Sequence, residues 1–511
     1  MRRLILTLAV LALALGAARL AFRLPSLEGR TVSKSLAPDP QTPLARAILP
    51  AAAAHPALTG IRPLWKGIDA YAARILLARA ARQSIDARYY IWQRDRTGLP
   101  LLAELKAAAE RGVRVRLLVD DNGTPGMDSD LAAMNALPNF EVRVFNPFSL
   151  RRPRLLSYPL DFPRINRRMH NKSFTVDGVA TIVGGRNVGD IYFARDADTQ
   201  YSDFDVMATG AAVTAVAGDF DAYWNSGSAY PHELLVNPPA DASGFEAALA
   251  DVADDPESED YARAVAEGQL VTSMLSGTLQ FDWVPARLLS DDPAKALGEA
   301  PAGTLVANAL GALLGNARES LDVISAYFVP GREGTERLAF AARQGIRVRV
   351  LTNGLEATDV LPVHAAYGKY RKPLIEAGVE VHELKRNPGT ENDREKLGLL
   401  GSSGASLHAK VFAIDGKAVF VGSFNFDPRS IWLNCEMGLW IESPTMAASV
   451  ASTLAAGTGE LAWQVGLADG NLTWSARNDG VPVVTTDEPG TNAFKRAALA
   501  VLAWLPVEWM M

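Results

Sequence analysis

The 511-residue chain reads as an α/β protein in which one unit is written twice. Three observations carry that reading. Residues 81–92, ARQSIDARYYIW, match residues 317–328, ARESLDVISAYF, at an offset of 236 (81 to 317). Each is followed by a helical stretch, Leu101–Arg111 or Gly334–Gln344, and then by a strand, GVRVRLLV from Gly112 or GIRVRVLT from Gly345. Alternating Val and Arg over a short run is the pattern of a half-buried strand, and strand–helix–strand in this order implies a right-handed crossover. Third, residues 170–187, HNKSFTVDGVATIVGGRN, match residues 408–425, HAKVFAIDGKAVFVGSFN. In both, two β-branched or aromatic runs flank an Asp-Gly pair, which is a hairpin signal.

The elements follow in order. Arg2 and Arg3 precede an apolar run from Leu4 to Ala18, so residues 1–24 read as a signal peptide or membrane anchor. The run is marginal for a span, which needs ~20 apolar residues. Arg2 and Arg3 argue for an inside N-terminus and a body on the periplasmic face of the cytoplasmic membrane, whereas Arg19, Arg23 and Arg30 stand on the other flank. Residues 25–58, with six prolines, read as a tether. The first lobe is expected over 59–240, an exposed acidic connection over 241–300, and the second lobe over 301–460. A tail, 461–511, ends AALAVLAWLPVEWMM and can either lie in a lipid interface or pack on the body.

Composition narrows the function. The net charge of −6 argues against a whole-chain nucleic-acid binder. The only cysteine is Cys435, so an intramolecular disulfide and a Cys-rich metal site are excluded. Basic residues nevertheless gather before each doubled histidine. Arg151, Arg152, Arg154, Arg164, Arg167 and Arg168 precede His170, and Lys369, Arg371, Lys372, Lys385 and Arg386 precede His408. Such clusters suit an anionic bilayer.

Of six histidines, two open the doubled motif. Each is followed in register by Lys at +2, Asp at +7, Gly at +8, Gly at +14 and Asn at +17. His and Lys two apart on a strand share a face. One copy offers one imidazole, one ammonium and one amide. Two copies face to face offer His170 and His408 on opposite sides of a phosphorus, with Lys172, Lys410, Asn187 and Asn425 around its oxygens. One histidine must be neutral to attack and the other protonated to release the leaving group. Each needs a carboxylate to fix its tautomer. Asp205 at +35 and Glu436 at +28 are the candidates, with Asp203 a rival to Asp205. Asp177 and Asp415 read as turn residues. His55, His232, His364 and His382 have no paired counterpart. No metal-ligand cluster stands out, and the mechanism calls for no cofactor.

These residues resemble the phospholipase D superfamily, whose signature is HxK–x4–D–x6–G[GS]xN in two copies. SIDARYYIWQRDRTG, NRRMHNKSFTVDG, GKYRKPLIEAGVEVHELKR and GSFNFDPRSIWLNCEMGLW look closer still to bacterial cardiolipin synthases of the C type. The resemblance runs from about residue 60 to the C-terminus. It implies two α/β lobes related by a pseudo-twofold axis, each a mixed sheet flanked by helices, with the site at their interface. It implies phosphatidyl transfer to phosphatidylglycerol, with phosphatidylethanolamine as a donor open to the C type. Carried over, His170 is the nucleophile that becomes phosphohistidine, His408 is acid then base, and the motif Asp is structural. Gly185 stands where the superfamily often has Ser, as at Ser423. The alternatives are a phospholipase D releasing phosphatidic acid, a nuclease, and a non-enzymatic lipid-binding protein. The expected partners are phospholipids and a membrane rather than nucleic acid.

Overall fold

In the computed structural model, residues 2–193, 203–237, 243–358, 360–385, 407–457, 459–478, 480–504 and 508 are described. The first lobe contributes β1 (Thr59–Leu64), β2 (Ser84–Ile91), β3 (Arg114–Gly123), β4 (Phe140–Phe145), β5 (Ser173–Val176), β6 (Ala180–Gly184), β7 (Asp205–Gly210), β8 (Ala229–Pro231) and β9 (Asp282–Val284). The second contributes β10 (Ala286–Ser290), β11 (Ser320–Ser325), β12 (Arg347–Asn353), β13 (Glu380–Leu384), β14 (Lys410–Ile414), β15 (Ala418–Gly422), β16 (Met437–Ile441), β17 (Ala462–Ala468), β18 (Asn471–Asn478) and β19 (Val481–Thr485).

The sheet orders are β8-β4-β3-β2-β5-β6-β7-β1-β9 and β10-β16-β15-β14-β11-β12-β13-β17-β18-β19. Read in opposite directions, they superpose position by position from β8/β17 to β1/β10. In each, three parallel strands (β2, β3, β4; β11, β12, β13) adjoin an antiparallel run that starts at the doubled hairpin. The parallel pairs β2–β3 and β11–β12 are bridged by the helices Gly98–Glu110 and Gly331–Arg343, as the repeat predicted. Only the outer strands differ: β9 extends one sheet, and β18 and β19 extend the other.

Both hairpins turn on Asp-Gly with left-handed backbone. The φ values are 50° and 65° at Asp177 and Gly178, and 52° and 61° at Asp415 and Gly416. That is the geometry of a mirror-image tight turn, closed by Val179 N–H donating to the Val176 carbonyl at 3.1 Å and Lys417 N–H to the Ile414 carbonyl at 2.9 Å. The Asp177 carboxylate accepts from the N–H groups of Arg82, Gln83 and Ser84 at 3.1, 2.8 and 3.0 Å. Asp415 accepts from Arg318, Glu319 and Ser320 at 3.0, 2.7 and 3.0 Å. Each carboxylate thereby fastens its hairpin to the start of the neighbouring strand.

Each lobe has its own apolar core. A third cluster joins them: Val183, Val206 and Ala208 of the first lobe pack with Val411, Val419 and Leu439 of the second. At about 1.5–3 kcal/mol for each fully buried aliphatic side chain, this seam holds the two motif hairpins together.

Three segments depart from the reading of the sequence, and the tail takes one of the two places left open for it. The Pro-rich stretch expected as a tether lies on the first lobe. Arg30 donates to the carbonyls of Asn225, Ser226 and Ala229. The carbonyls of Thr31 and Ser33 accept from the buried Arg143 and Arg116. Residues 30–35 lie outside helix and sheet, so their backbone carbonyls are free to serve guanidinium groups, while the same stretch goes on to form the helix Pro43–Ala54, whose Leu44, Ala45 and Ile48 join the first core. The acidic segment forms the helices Ser243–Ala253, Ser258–Glu267 and Gln269–Leu275, whose Phe245, Val265 and Met274 join the first core. Its charges occupy the outer faces. The tail, 461–511, supplies β17, β18 and β19 and a helix, Ala493–Trp504, that packs on the helix Leu361–Glu376. The basic clusters are largely paired within the fold: Arg168 with Asp120 at 2.5 Å, Arg151 with Asp121 at 2.5 Å, Arg154 with Asp128 at 2.8 Å, and Arg371 with Glu488 at 2.7 Å. Arg386 lies outside the described residues. The N-terminal helix spans Arg2–Ala21. Among the described residues, no helix is long and apolar enough to cross a membrane.

Candidate active site

The chain segment before β5 carries His170, and the corresponding segment before β14 carries His408. Two hydrogen bonds tie the first of these to the other lobe. Cys435 N–H donates to the Arg168 carbonyl at 2.9 Å, and His170 N–H donates to the Cys435 carbonyl at 2.9 Å. This backbone clasp brings the next residue, Glu436, onto the imidazole: His170 Nδ1 lies 2.9 Å from Glu436 Oε2 and 3.1 Å from the Ser423 carbonyl. A carbonyl only accepts, so Nδ1 carries the proton and Nε2 keeps its lone pair.

The pairing is reciprocal across the interface. His408 Nδ1 lies 2.6 Å from Asp203 Oδ2. Each histidine therefore takes its carboxylate from the opposite lobe. Asp205, the expected partner, is elsewhere: it pairs with Arg74 at 2.8 Å and lies 3.6 Å from Arg186. Strand register explains the difference. Asp205 pairs opposite Gly184, and in the second sheet Gly438 pairs opposite Gly422. Gly184 and Gly422 hold the same motif position, so Asp205 corresponds to Gly438 and Asp203 to Glu436. A longer stretch of sequence before β7 shifts the count from the motif. Asp205 still serves the site indirectly. Its partner Arg186 donates to the carbonyl of Asp203 at 2.6 Å and to that of Tyr192 at 3.2 Å.

The lysines are held alike. Lys172 Nζ donates to the His170 carbonyl at 2.6 Å, and Lys410 Nζ donates to the His408 carbonyl. Asn187 Oδ1 accepts from Ile91 N–H at 3.1 Å, and Asn425 Oδ1 faces Tyr327 N–H at 3.4 Å. The amide nitrogen of Asn187 is buried without a hydrogen-bond partner. Two tyrosines went unread in the sequence. Tyr90 and Tyr192 each set a ring edge-on to an imidazole, His170 and His408 respectively, at 5.1 Å. Tyr90 had a faint signal, as the aromatic of the first repeat where the second has Ala326.

The electrostatics follow from burial. Loss of solvent pushes His170 well below its ordinary value, with Lys172 and Lys410 adding to the shift. The same causes bring His408 down to about 3, although Asp203 opposes them. Lys172 falls well below its ordinary value through burial and repulsion from Lys410. Glu436 is pushed up to about 7 by burial, despite Lys172 and the hydroxyls of Ser423 and Ser430. Burial also pushes Asp203 upward, but His408, Lys410 and Arg186 outweigh it and hold the carboxyl below its usual range. The two lysine–histidine pairs thus bear on each other electrostatically, and an anion between them relieves the repulsion. Among the described residues, no three or more His, Cys, Asp or Glu side chains gather as a metal cage would.

Comparison with known proteins bears on the family and the fold. The family model described as "Cardiolipin synthase, PLD-like domain" matches residues 75–224 and 310–456, one stretch in each lobe. Cardiolipin synthase C of Escherichia coli (strain K12) is 46% identical over 470 residues, which cover 92% of this chain and 99% of that protein. A cardiolipin synthase of Alkalihalophilus pseudofirmus is 25% identical over 74% of this chain and 62% of its own length. Among solved structures, the phosphatidylserine synthase of Haemophilus influenzae Rd KW20 is alike in fold, with a TM-score of 0.52 over 79% of this chain and 87% of that one at 14% identity.

Proposed function

The chain belongs to the phospholipase D-like family of cardiolipin synthases, and from that premise we propose that it makes cardiolipin by phosphatidyl transfer to phosphatidylglycerol. His170 Nε2 attacks the donor phosphorus. The bond to the departing headgroup oxygen breaks, and His408 Nε2 gives that oxygen its proton. The primary hydroxyl of phosphatidylglycerol then passes its proton to His408 and attacks the phosphohistidine, and His170 leaves. Phosphatidylethanolamine serves as donor in this reading, with ethanolamine as the departing alcohol. The protein works at a membrane, where both lipids reside.

One observation carries the division of labour: the two carboxylates differ. Asp203 is held ionised and favours an imidazolium at His408. Glu436, pushed up to about 7, favours a neutral imidazole at His170. A nucleophile needs the second condition and a leaving-group acid the first. Burial is the first cause of the lowering of both histidines, and a phosphodiester anion beside Lys172 and Lys410 offsets the repulsion that adds to it.

The test is purified protein in vesicles of phosphatidylglycerol and phosphatidylethanolamine, each carrying its own label. Cardiolipin bearing the phosphatidyl group of the ethanolamine lipid is expected. Phosphatidic acid alone would make the protein a hydrolase, and no lipid product would overturn the reading.

A further inference from the structure

Basic residues before His170 invite a role in gripping headgroups, but the structure spends them differently. Arg151 and Arg154 fold back onto the end of β3. Arg151 pairs with Asp121 at 2.5 Å, and Arg154 donates to the Asp121 carbonyl at 2.8 Å and pairs with Asp128 at 2.8 Å. The Ser157 hydroxyl accepts from Leu150 N–H at 2.9 Å and closes the loop. The turn so clamped, Arg154–Ser157, turns two leucines outward: Leu155 is 76% exposed and Leu156 58%. Two adjacent leucines held in water by four polar anchors are an arranged apolar surface, not a chance one.

Its place in the fold says what it meets. Asp121 has neighbours committed to the site. Asp120 holds Arg168 at 2.5 Å and accepts from Met169 N–H at 2.9 Å, immediately before His170. Asn122 donates to the Tyr90 hydroxyl at 3.0 Å, and the Tyr90 ring is edge-on to His170. The leucine turn therefore stands at the end of the parallel strands where the site opens. It also adjoins the helix Tyr158–Ile165, on which the end of the N-terminal helix packs. That helix exposes Leu13 and Leu20, Phe22 is exposed just past its end, and Arg19, Arg23 and Arg152 are exposed as well. Exposed apolar side chains accompanied by exposed arginines complement an anionic bilayer.

We infer that the Arg154–Ser157 turn is a bilayer-inserting element, which sets the mouth of the site at the depth of its substrates' phosphates. The inference rests on the reading above that these substrates are membrane phospholipids, and its test is chosen to be independent of turnover. Cys435, the chain's only cysteine, is buried, so a Leu156→Cys variant of the full chain takes a polarity-sensitive thiol dye at one exposed site. Phe340→Cys is the control: Phe340 is 63% exposed on the helix that enters β12, at the opposite end of the strands.

On vesicles of phosphatidylglycerol and phosphatidylethanolamine, the label at 156 is expected to blue-shift and brighten several-fold, while the label at 340 stays unchanged. An aqueous signal at 156, equal shifts at both positions, or a shift that needs protein concentration but no lipid would each overturn the proposal. A second readout joins it to catalysis. Leu155→Asp/Leu156→Asp should lose about tenfold or more of turnover on vesicle lipids and stay within about twofold on monomeric short-chain lipid. Equal losses on both substrates would overturn it. Absence of any cardiolipin from the parent protein, with the label at 156 shifted, would instead fault the function and leave the inserted turn standing.

Discussion

An ion network lies beneath the first motif, and a stack of phenylalanines beneath the second. Arg186, between Gly185 and Asn187, donates to the carbonyls of Leu64, Trp65 and Asp203 and stands beside Asp205. In the other copy that place belongs to Phe424, which meets Phe412 edge-on at 6.4 Å between ring centres, while Phe420 stacks on Phe412 at 5.7 Å. The position after the first motif glycine differs as well. At Ser423 the hydroxyl donates to Glu436 at 2.5 Å. At Gly185 a Cβ would sit 2.1 Å from Asp203 Oδ1, so only glycine leaves room for that carboxylate. One backbone has thus been kept in both lobes while its electrostatics diverged. His408, Lys410 and Arg186 hold one carboxylate ionised, and burial pushes the other toward its neutral form against the pull of the Ser423 and Ser430 hydroxyls. Two identical histidines become unequal through what lies behind them.

The largest test of that inequality separates the histidines themselves. His170→Ala and His408→Ala should each cut turnover on natural lipids by about 10³-fold or more. A donor with a nitrophenolate leaving group needs no acid. With it, His408→Ala should still form a labelled lipid–enzyme adduct and His170→Ala should not. Adduct in both variants would break the assigned roles.

The carboxylates come next. Asp203→Asn should cost about 10²–10⁴-fold in kcat, and Glu436→Gln clearly less, because Glu436 is already half-way to its neutral form. Equal losses would erase the comparison. Stability gives the same residue a second signature. The folded chain holds a proton on Glu436 up to about 7, while the unfolded chain releases it near 4.5. Stability from this group is therefore lost as pH rises through that window. Urea midpoints should show the decline in the parent and not in Glu436→Gln.

The smallest effect belongs to the residues behind the carboxylates. Gly185→Ser must displace Asp203 and should resemble Asp203→Asn. Ser423→Gly removes one hydroxyl from Glu436 and should cost about 1–3 kcal/mol in stability with modest loss of turnover. The reverse ranking, measured by melting and by kcat, would show that the two positions are interchangeable.

How far the sequence spoke can be judged at the same residues. The hairpins, the parallel strands and their helices were legible because duplication repeats each local pattern and strips away chance. His170, His408 and their lysines stood out for the same reason. The orienting carboxylate of His408 was not legible by counting, because the stretch from Asn187 to Asp203 is longer than that from Asn425 to Glu436. Only the pairing of Gly184 with Asp205 and of Gly422 with Gly438 restores the alignment. The exchange of carboxylates between lobes depends on the Arg168–Cys435–His170 clasp, a contact spanning more than half the chain. The arginines misled because Asp120, Asp121 and Asp128, which neutralise them, lie 23 to 48 residues upstream with no local pattern to announce the pairing.

The strap of residues 30–35 has a consequence for the order in which the molecule is made. Arg30 is synthesised early, yet its acceptor on Ser226 lies 196 residues later. Ser35 waits 186 residues for Asp221, which accepts its N–H at 2.9 Å. During synthesis the strap has no seat until the helix Ala211–Trp224 has emerged and docked. Meanwhile Arg116 and Arg143, whose guanidinium groups it later covers, remain wet. The strap can close only over a first lobe already assembled, so a segment made before that lobe is among the last pieces to find its place.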